Sequence, residues 1–130
     1  MAIIGLGTDI VAIERIVTRC EGMAADKRQR FAERILTPEE LREWQQHREP
    51  ARLLAKRFAV KEATAKALGT GIGRGVSFQH IALVHNDWGA PQLRLSGGAQ
   101  ARFEALGGRE HHVSLSDEQA YVVATVILER

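Results

Sequence analysis

From Pro50 to about residue 68 the chain reads as its longest helix, and one side of that helix is almost bare. Ala55, Ala59, Ala63 and Ala67 recur every four residues, which stacks them along one face of an α-helix. A face of methyl groups lets another element approach closely, and core packing accounts for it better than contact between subunits. Leu54, Phe58 and the Lys61-Glu62 pair follow one another at near four-residue steps on the same helix. Pro50 suits the first helical position, and Gly69 suits a C-terminal stop.

The other elements follow from periodicity and punctuation. Residues 2–8 (AIIGLGT) read as a short strand with Asp9 at its end. Ile10, Ile13, Ile16, Val17 and Cys20 recur at three- and four-residue steps, which predicts an amphipathic helix over roughly 12–20. Phe31, Ala32 and Ile35 mark a shorter helix around 26–35. Thr37-Pro38-Glu39-Glu40 is a helix start in which Thr37 caps and Glu40 completes a capping box. That helix carries Leu41 and Trp44 and fades near His47. Strands are expected at about 78–84 and 92–96, joined by a turn at Asn86-Asp87-Trp88-Gly89. A helix over about 97–106 stops at Gly107-Gly108, and two strands close the chain at about 111–116 and 119–128. The order is β-α-α-α-β-β-α-β-β. Strands and helices do not alternate regularly, so the expectation is an α+β fold. It is a single domain over residues 1–130, with a mainly antiparallel sheet packed against the long helix.

Composition narrows the function classes. With 130 residues, 45% hydrophobic and 26% charged, the chain can bury a core without disulfide staples. One cysteine, Cys20, allows no intramolecular disulfide, which fits a reducing, cytoplasmic location. The start MAIIGLGTDIV lacks a basic n-region and does not read as a signal peptide. No apolar run approaches the ~20 residues of a membrane span. Net charge is only +2, but residues 15–34 hold Arg15, Arg19, Lys27, Arg28, Arg30 and Arg34 against Glu21, Asp26 and Glu33. Such a surface can steer an acidic partner, although a solvated mixed-charge helix face is the plainer reading. Aromatic residues make up 5% of the chain. Stacking platforms for a nucleic acid are therefore scarce, and no nucleic-acid reader motif is present.

Three segments can carry chemistry: GLGTDIV at 5–11, RFAVKEATAKALGTG at 57–71, and HHVSLSD at 111–117. Glu62 and Lys66 lie four apart and project from one helix face, where a surface ion pair is the ordinary reading. Arg57 stands roughly 140° round the axis from Glu62. Asp9 could cap the first helix. Gly5 and Gly7 hint at a dinucleotide loop, but position 10 is Ile and the G-x-G-x-x-G pattern fails. Residues 69–75 (GTGIGRG) hold four glycines in seven and offer backbone N–H groups to a phosphate, or are a flexible connector. His111 and His112 open an alternating strand, so one of them faces inward. Without a Cys/His cluster a zinc site is improbable. Two carboxylates and no soft ligand suit a hard ion such as Mg²⁺.

Taken together, GLGTDIV, RFAVKEATAKALGTGIG, FAERILTPEE and HHVSLSDEQAYVVATVILE closely resemble the phosphopantetheinyl transferases of the holo-[acyl-carrier-protein] synthase type. The resemblance covers nearly the whole chain. It implies transfer of the 4'-phosphopantetheine group of coenzyme A to a serine of an acidic acyl carrier protein, releasing 3',5'-ADP, in fatty acid biosynthesis. Asp9 and Glu62 match the metal-binding acids, with Mg²⁺ as the ion and Mn²⁺ as an alternative. Glu62 is also the candidate base, and Lys66 lies beside the pyrophosphate. Arg57, His112 and Ser116 match positions lining the coenzyme A pocket, and Gly69-Thr70-Gly71 the glycine loop beside the nucleotide phosphates. Arg15 falls where such enzymes meet their carrier protein. A homotrimer with active sites at subunit boundaries is implied as well.

Overall fold

The glycines that fail as a dinucleotide loop are the missing half of the alanine stripe. The computed structural model describes residues 2–130, and its first strand, β1 (Ile3–Ala12), lies directly on the long helix. A Cβ on Gly7 would stand 1.9 Å from the carbonyl oxygen of Ala63, and one on Gly5 2.1 Å from that of Ala67. Only hydrogen fits there, so backbone meets backbone with no side chain between them.

After β1 come α1 (Ile13–Glu21), α2 (Ala25–Ile35), α3 (Pro38–Gln46) and the long helix α4 (Pro50–Ala67). A 3₁₀ turn at Phe78–His80 leads into β2 (Ile81–His85) and β3 (Pro91–Leu95), followed by α5 (Gly97–Ala105), β4 (Glu110–Asp117) and β5 (Tyr121–Glu129). The strands form an antiparallel sheet in the order β1-β5-β4 and a separate antiparallel hairpin β2-β3. This is the expected α+β arrangement, with α4 laid across the larger sheet. Val122, Ala124, Val126 and Leu128 of β5 are buried with the four stripe alanines. The other face of that sheet is uncovered: Ile3, Leu6, Ile10 and Tyr121 are 51–64% exposed.

Glu40 ties the helices to the hairpin. The predicted capping box forms, with Glu40 N–H donating to Thr37 Oγ1 and the Thr37 N–H to Glu40 Oε1. The same carboxylate accepts from the Leu83 N–H at 3.1 Å and from the Lys61 ammonium at 2.6 Å. Lys61 is completely buried and also donates to the carbonyls of Ile35 and Phe78. Three acceptors therefore satisfy its three donors. Burial pulls its pKa below the usual lysine value, and Glu40 opposes that pull.

Four expectations need correction. Asp9 is inside β1 rather than at its end: Ile10 and Val11 pair with Val123 and Val122, so the chain stays extended to Ala12. Consequently Asp9 does not cap α1, whose N-cap is Ala12 without a side-chain bond. Ile10 is a strand residue rather than a helical one. The strand expected from 78 begins instead as a 3₁₀ turn, because the Ser77 hydroxyl accepts from the Gln79 N–H and holds it closed. Among the described residues no helix is long and apolar enough to cross a membrane.

Candidate active site

Seating β1 on α4 at Gly7 brings Asp9, two residues further along the same strand face, beside the last turns of the helix. The Lys66 ammonium donates to Asp9 Oδ1 at 3.0 Å and to the Thr8 carbonyl at 3.0 Å. The simple Glu62–Lys66 pair is thus replaced by one that joins strand to helix. Glu62 is half-buried on the same side of α4. Burial first, and then the charge of Asp9, push its pKa above the usual carboxylate range, while Lys66 pulls it back. Asp9 and Glu62 are therefore close enough to repel. Asp9 from β1 joins Glu62 and Lys66, one helical turn apart on α4, in one cluster, in which the Lys66 side chain is half-exposed and the Asp9 side chain mostly covered.

The donor set fits a hard divalent cation. Two carboxylates that raise each other's energy, with no sulfur or imidazole among them, match oxygen-ligated Mg²⁺ with positions left for phosphate and water. A cation between them would remove the repulsion that Glu62 registers.

The remaining candidates lie elsewhere on the molecule. Arg57 is 5% exposed and faces α3, where its Nη2 donates to Glu43 at 2.8 Å and its Nε lies 3.5 Å from Glu40. With Lys56, His47, His85, Glu43 and Asp117 it lines a cavity of about 330 Å³ between α4, the hairpin and β4. Register sets this cavity apart from the acidic cluster. Asp9 pairs with Ala124, which pairs with Leu115 on the cavity wall. Two strand spacings, about 10 Å, separate the two along the sheet.

His111 and His112 take opposite sides, as alternation requires. His111 packs on Phe103, with ring centroids 5.3 Å apart. His112 pairs with Ile127 and Ser116 with Val123, on the uncovered face opposite Asp9. There His112 Nε2 contacts Glu129 and lies 3.8 Å from Glu110. Gly69 and Gly71 have φ values of +78° and +66° just after α4. The N–H groups of Gly69, Thr70 and Gly71 already donate to the carbonyls of Lys66 and Ala65. A phosphate would meet them only in exchange for those bonds. Arg15 is exposed on α1.

Sequence reasoning missed the buried Glu40–Lys61–Arg57 group. The available signal was that Lys61 follows Leu54 and Phe58 down the apolar side of α4, where a lysine needs a buried partner.

The model of the family described as the 4'-phosphopantetheinyl transferase superfamily matches residues 5–126. The holo-[acyl-carrier-protein] synthase of Shewanella frigidimarina is 55% identical over 129 residues, covering 99% of both chains. The crystal structure of the Neisseria meningitidis holo-[acyl-carrier-protein] synthase superposes with a TM-score of 0.89 at 43% identity, covering 99% of this chain and 100% of that one. The Bacillus anthracis holo-(acyl-carrier-protein) synthase, crystallised in complex with CoA (3',5'-ADP), superposes at 0.77 with 34% identity, covering 97% and 96% of the two chains.

Proposed function

The chain belongs to the 4'-phosphopantetheinyl transferase superfamily, and we propose that it moves the 4'-phosphopantetheine group of coenzyme A onto a serine of apo acyl carrier protein, in the service of fatty acid biosynthesis. The observation that carries this reading is the convergence of Asp9, Glu62 and Lys66. The near full-length likeness to proteins named holo-[acyl-carrier-protein] synthase supports it.

The serine hydroxyl oxygen forms a bond to the β-phosphorus of coenzyme A as the bond to 3',5'-ADP breaks. Phosphoryl transfer asks chiefly for positioning and charge neutralisation. Lys66, half-exposed and tethered to Asp9 and the Thr8 carbonyl, supplies a positive charge at the pyrophosphate. Glu62 accepts the serine proton, directly or through a water molecule. Asp9 and Glu62 would hold Mg²⁺, with Mn²⁺ as an alternative, which when bound supplies Lewis-acid stabilisation of the phosphate oxygens. Gly69-Thr70-Gly71 follows Lys66 and would border the nucleotide phosphates.

The nucleotide half of coenzyme A needs a second place, and the Arg57 cavity suits it. On one chain that cavity and the acidic cluster lie at opposite edges of the β1-β5-β4 sheet. A homotrimer would bring one chain's cluster to a neighbour's cavity. The uncovered apolar face of Ile3, Leu6, Ile10 and Tyr121 offers the self-association surface, with His112 and Ser116 on it near the boundary. Residues 1–130 act as one transferase domain in the cytoplasm. Arg15 and the basic residues around it would receive the acidic carrier protein.

Apo acyl carrier protein incubated with this protein, coenzyme A and Mg²⁺ should gain a phosphopantetheine group by mass spectrometry. Glu62→Gln and Lys66→Ala should each slow the gain at least about 100-fold. No mass gain with the wild-type protein overturns the reading.

A further inference from the structure

Arg57 lies between two glutamates of α3 that are held in very different ways. Glu40 is 4% exposed, and its carboxylate is committed to the Thr37 N–H, the Leu83 N–H and the Lys61 ammonium. Arg57 Nε stands 3.5 Å from it without forming a hydrogen bond. Glu43, three residues further along α3, has a side chain that is 51% exposed. Among the described residues its carboxylate has one hydrogen-bond partner, Arg57 Nη2 at 2.8 Å. Both members of that pair line the cavity of about 330 Å³. The other carboxylate lining it, Asp117, is shared between Lys56 at 3.4 Å and Arg52 at 3.2 Å. Of the two carboxylates on the cavity wall, Glu43 is therefore the one without a second anchor.

We propose that Glu43 is an exchangeable counterion: it occupies Arg57 while the cavity is empty, turns out to solvent when a phosphate group enters, and returns as the phosphate leaves. A carboxylate that stayed would stand against the phosphate, and like charges in close contact repel. Arg57 keeps its place without Glu43, because it is 5% exposed and Glu40 remains beside its Nε. Glu43 leaves at little cost, since a half-exposed carboxylate regains water and its pairing is weak. A phosphate offers the guanidinium fork three oxygens and up to two charges, so it wins the exchange where a singly charged anion does not. Glu43 thus sets which anions the cavity takes and how readily it gives up a phosphorylated product. The inference rests on the coenzyme A reading given above, in which this cavity takes the nucleotide half.

Calorimetric titration with 3',5'-ADP reads the exchange. Glu43→Gln keeps the shape of the side chain and removes its charge, so the ligand no longer displaces an ion pair. Its dissociation constant should fall about fivefold, which ~1 kcal/mol corresponds to, and Glu43→Ala should move it the same way. The ligand should also leave Glu43→Gln more slowly than the wild type in stopped-flow displacement. Adenosine, which carries no phosphate, should gain nothing from the substitution. Glu39→Gln removes the same charge from an exposed position on the same helix, outside the cavity lining, and should leave the 3',5'-ADP constant unchanged. If Glu43→Gln binds 3',5'-ADP no more tightly than the wild type, or if adenosine or Glu39→Gln shows an equal gain, the counterion role is wrong while the transferase reading stands. If the wild type binds neither 3',5'-ADP nor coenzyme A, both fall together.

Discussion

Gly7 and Ala63 are in backbone contact: a methyl group on Gly7 would lie 1.9 Å from the Ala63 carbonyl oxygen. The contact sets the height of β1 on α4, and with it the distance from Asp9 to Lys66, three residues further along the helix. Gly7→Ala must push strand and helix apart, since the obstacle is backbone and no rotamer can relieve it. The expected cost is about 3 kcal/mol or more, measured by urea denaturation, with transferase activity lost in whatever fraction still folds. A variant with wild-type stability would mean that the two elements are not seated as described.

Two lysines five residues apart on α4 should behave in opposite ways. Lys61 is fully buried on Glu40, while Lys66 is half-exposed on Asp9. Removing one partner of a buried pair strands the other charge and costs ~3–5 kcal/mol. An exposed pair is worth ~0–1 kcal/mol. Lys61→Met should therefore lower the unfolding free energy severely. Lys66→Met should leave it nearly intact while removing catalysis. Equal losses of stability would contradict the burial argument.

Proton linkage provides a test of the acidic cluster. Burial and Asp9 raise the Glu62 pKa above 4.5, so without metal the folded chain binds more protons than the unfolded chain between 4.5 and that raised value. The Glu62 contribution to stability is therefore lost as pH rises through this window. A divalent ion competes with the proton and cancels the penalty. Mg²⁺ should accordingly raise the melting temperature more at pH 8 than at pH 5. At one hundred times its dissociation constant the gain is about 2.7 kcal/mol. Glu62→Gln should abolish the Mg²⁺ response in differential scanning calorimetry. A response of the same size in that variant would move the metal elsewhere.

How far the sequence reached depends on the range of the interaction. The Thr37–Glu40 box and the Asn86–Gly89 turn were legible because their partners are three or four residues apart. The alanine stripe announced a close neighbour, but not which one. Gly5 and Gly7 signal empty space, which no periodicity records, and a glycine pair in a strand looks like a loop. Asp9 was misplaced at a strand end because the pairing of Ile10 and Val11 with Val123 and Val122 lies more than a hundred residues away. Likewise, that His112 and Ser116 face away from Asp9 emerges only from strand register. The likeness to a family matched site residues one by one, yet could not say that they divide between two edges and two faces of one sheet.

Docking of the carrier protein should be electrostatic. Arg15 is exposed on α1, and reversing its charge places a like charge against an acidic partner. Arg15→Glu should raise the KM for the carrier protein about tenfold or more at low ionic strength, and less as salt increases. The KM for coenzyme A should stay within about twofold. Equal rises for both substrates would remove Arg15 from the docking surface.

The most direct test is crystallographic. Crystals grown with Mn²⁺ and coenzyme A should show an anomalous peak between the carboxylates of Asp9 and Glu62, with the diphosphate against its open side. A peak at Glu110, His112 and Glu129 instead, whose ligand atoms lie within 4.8 Å of one another, or a diphosphate bound away from Lys66, would contradict the account.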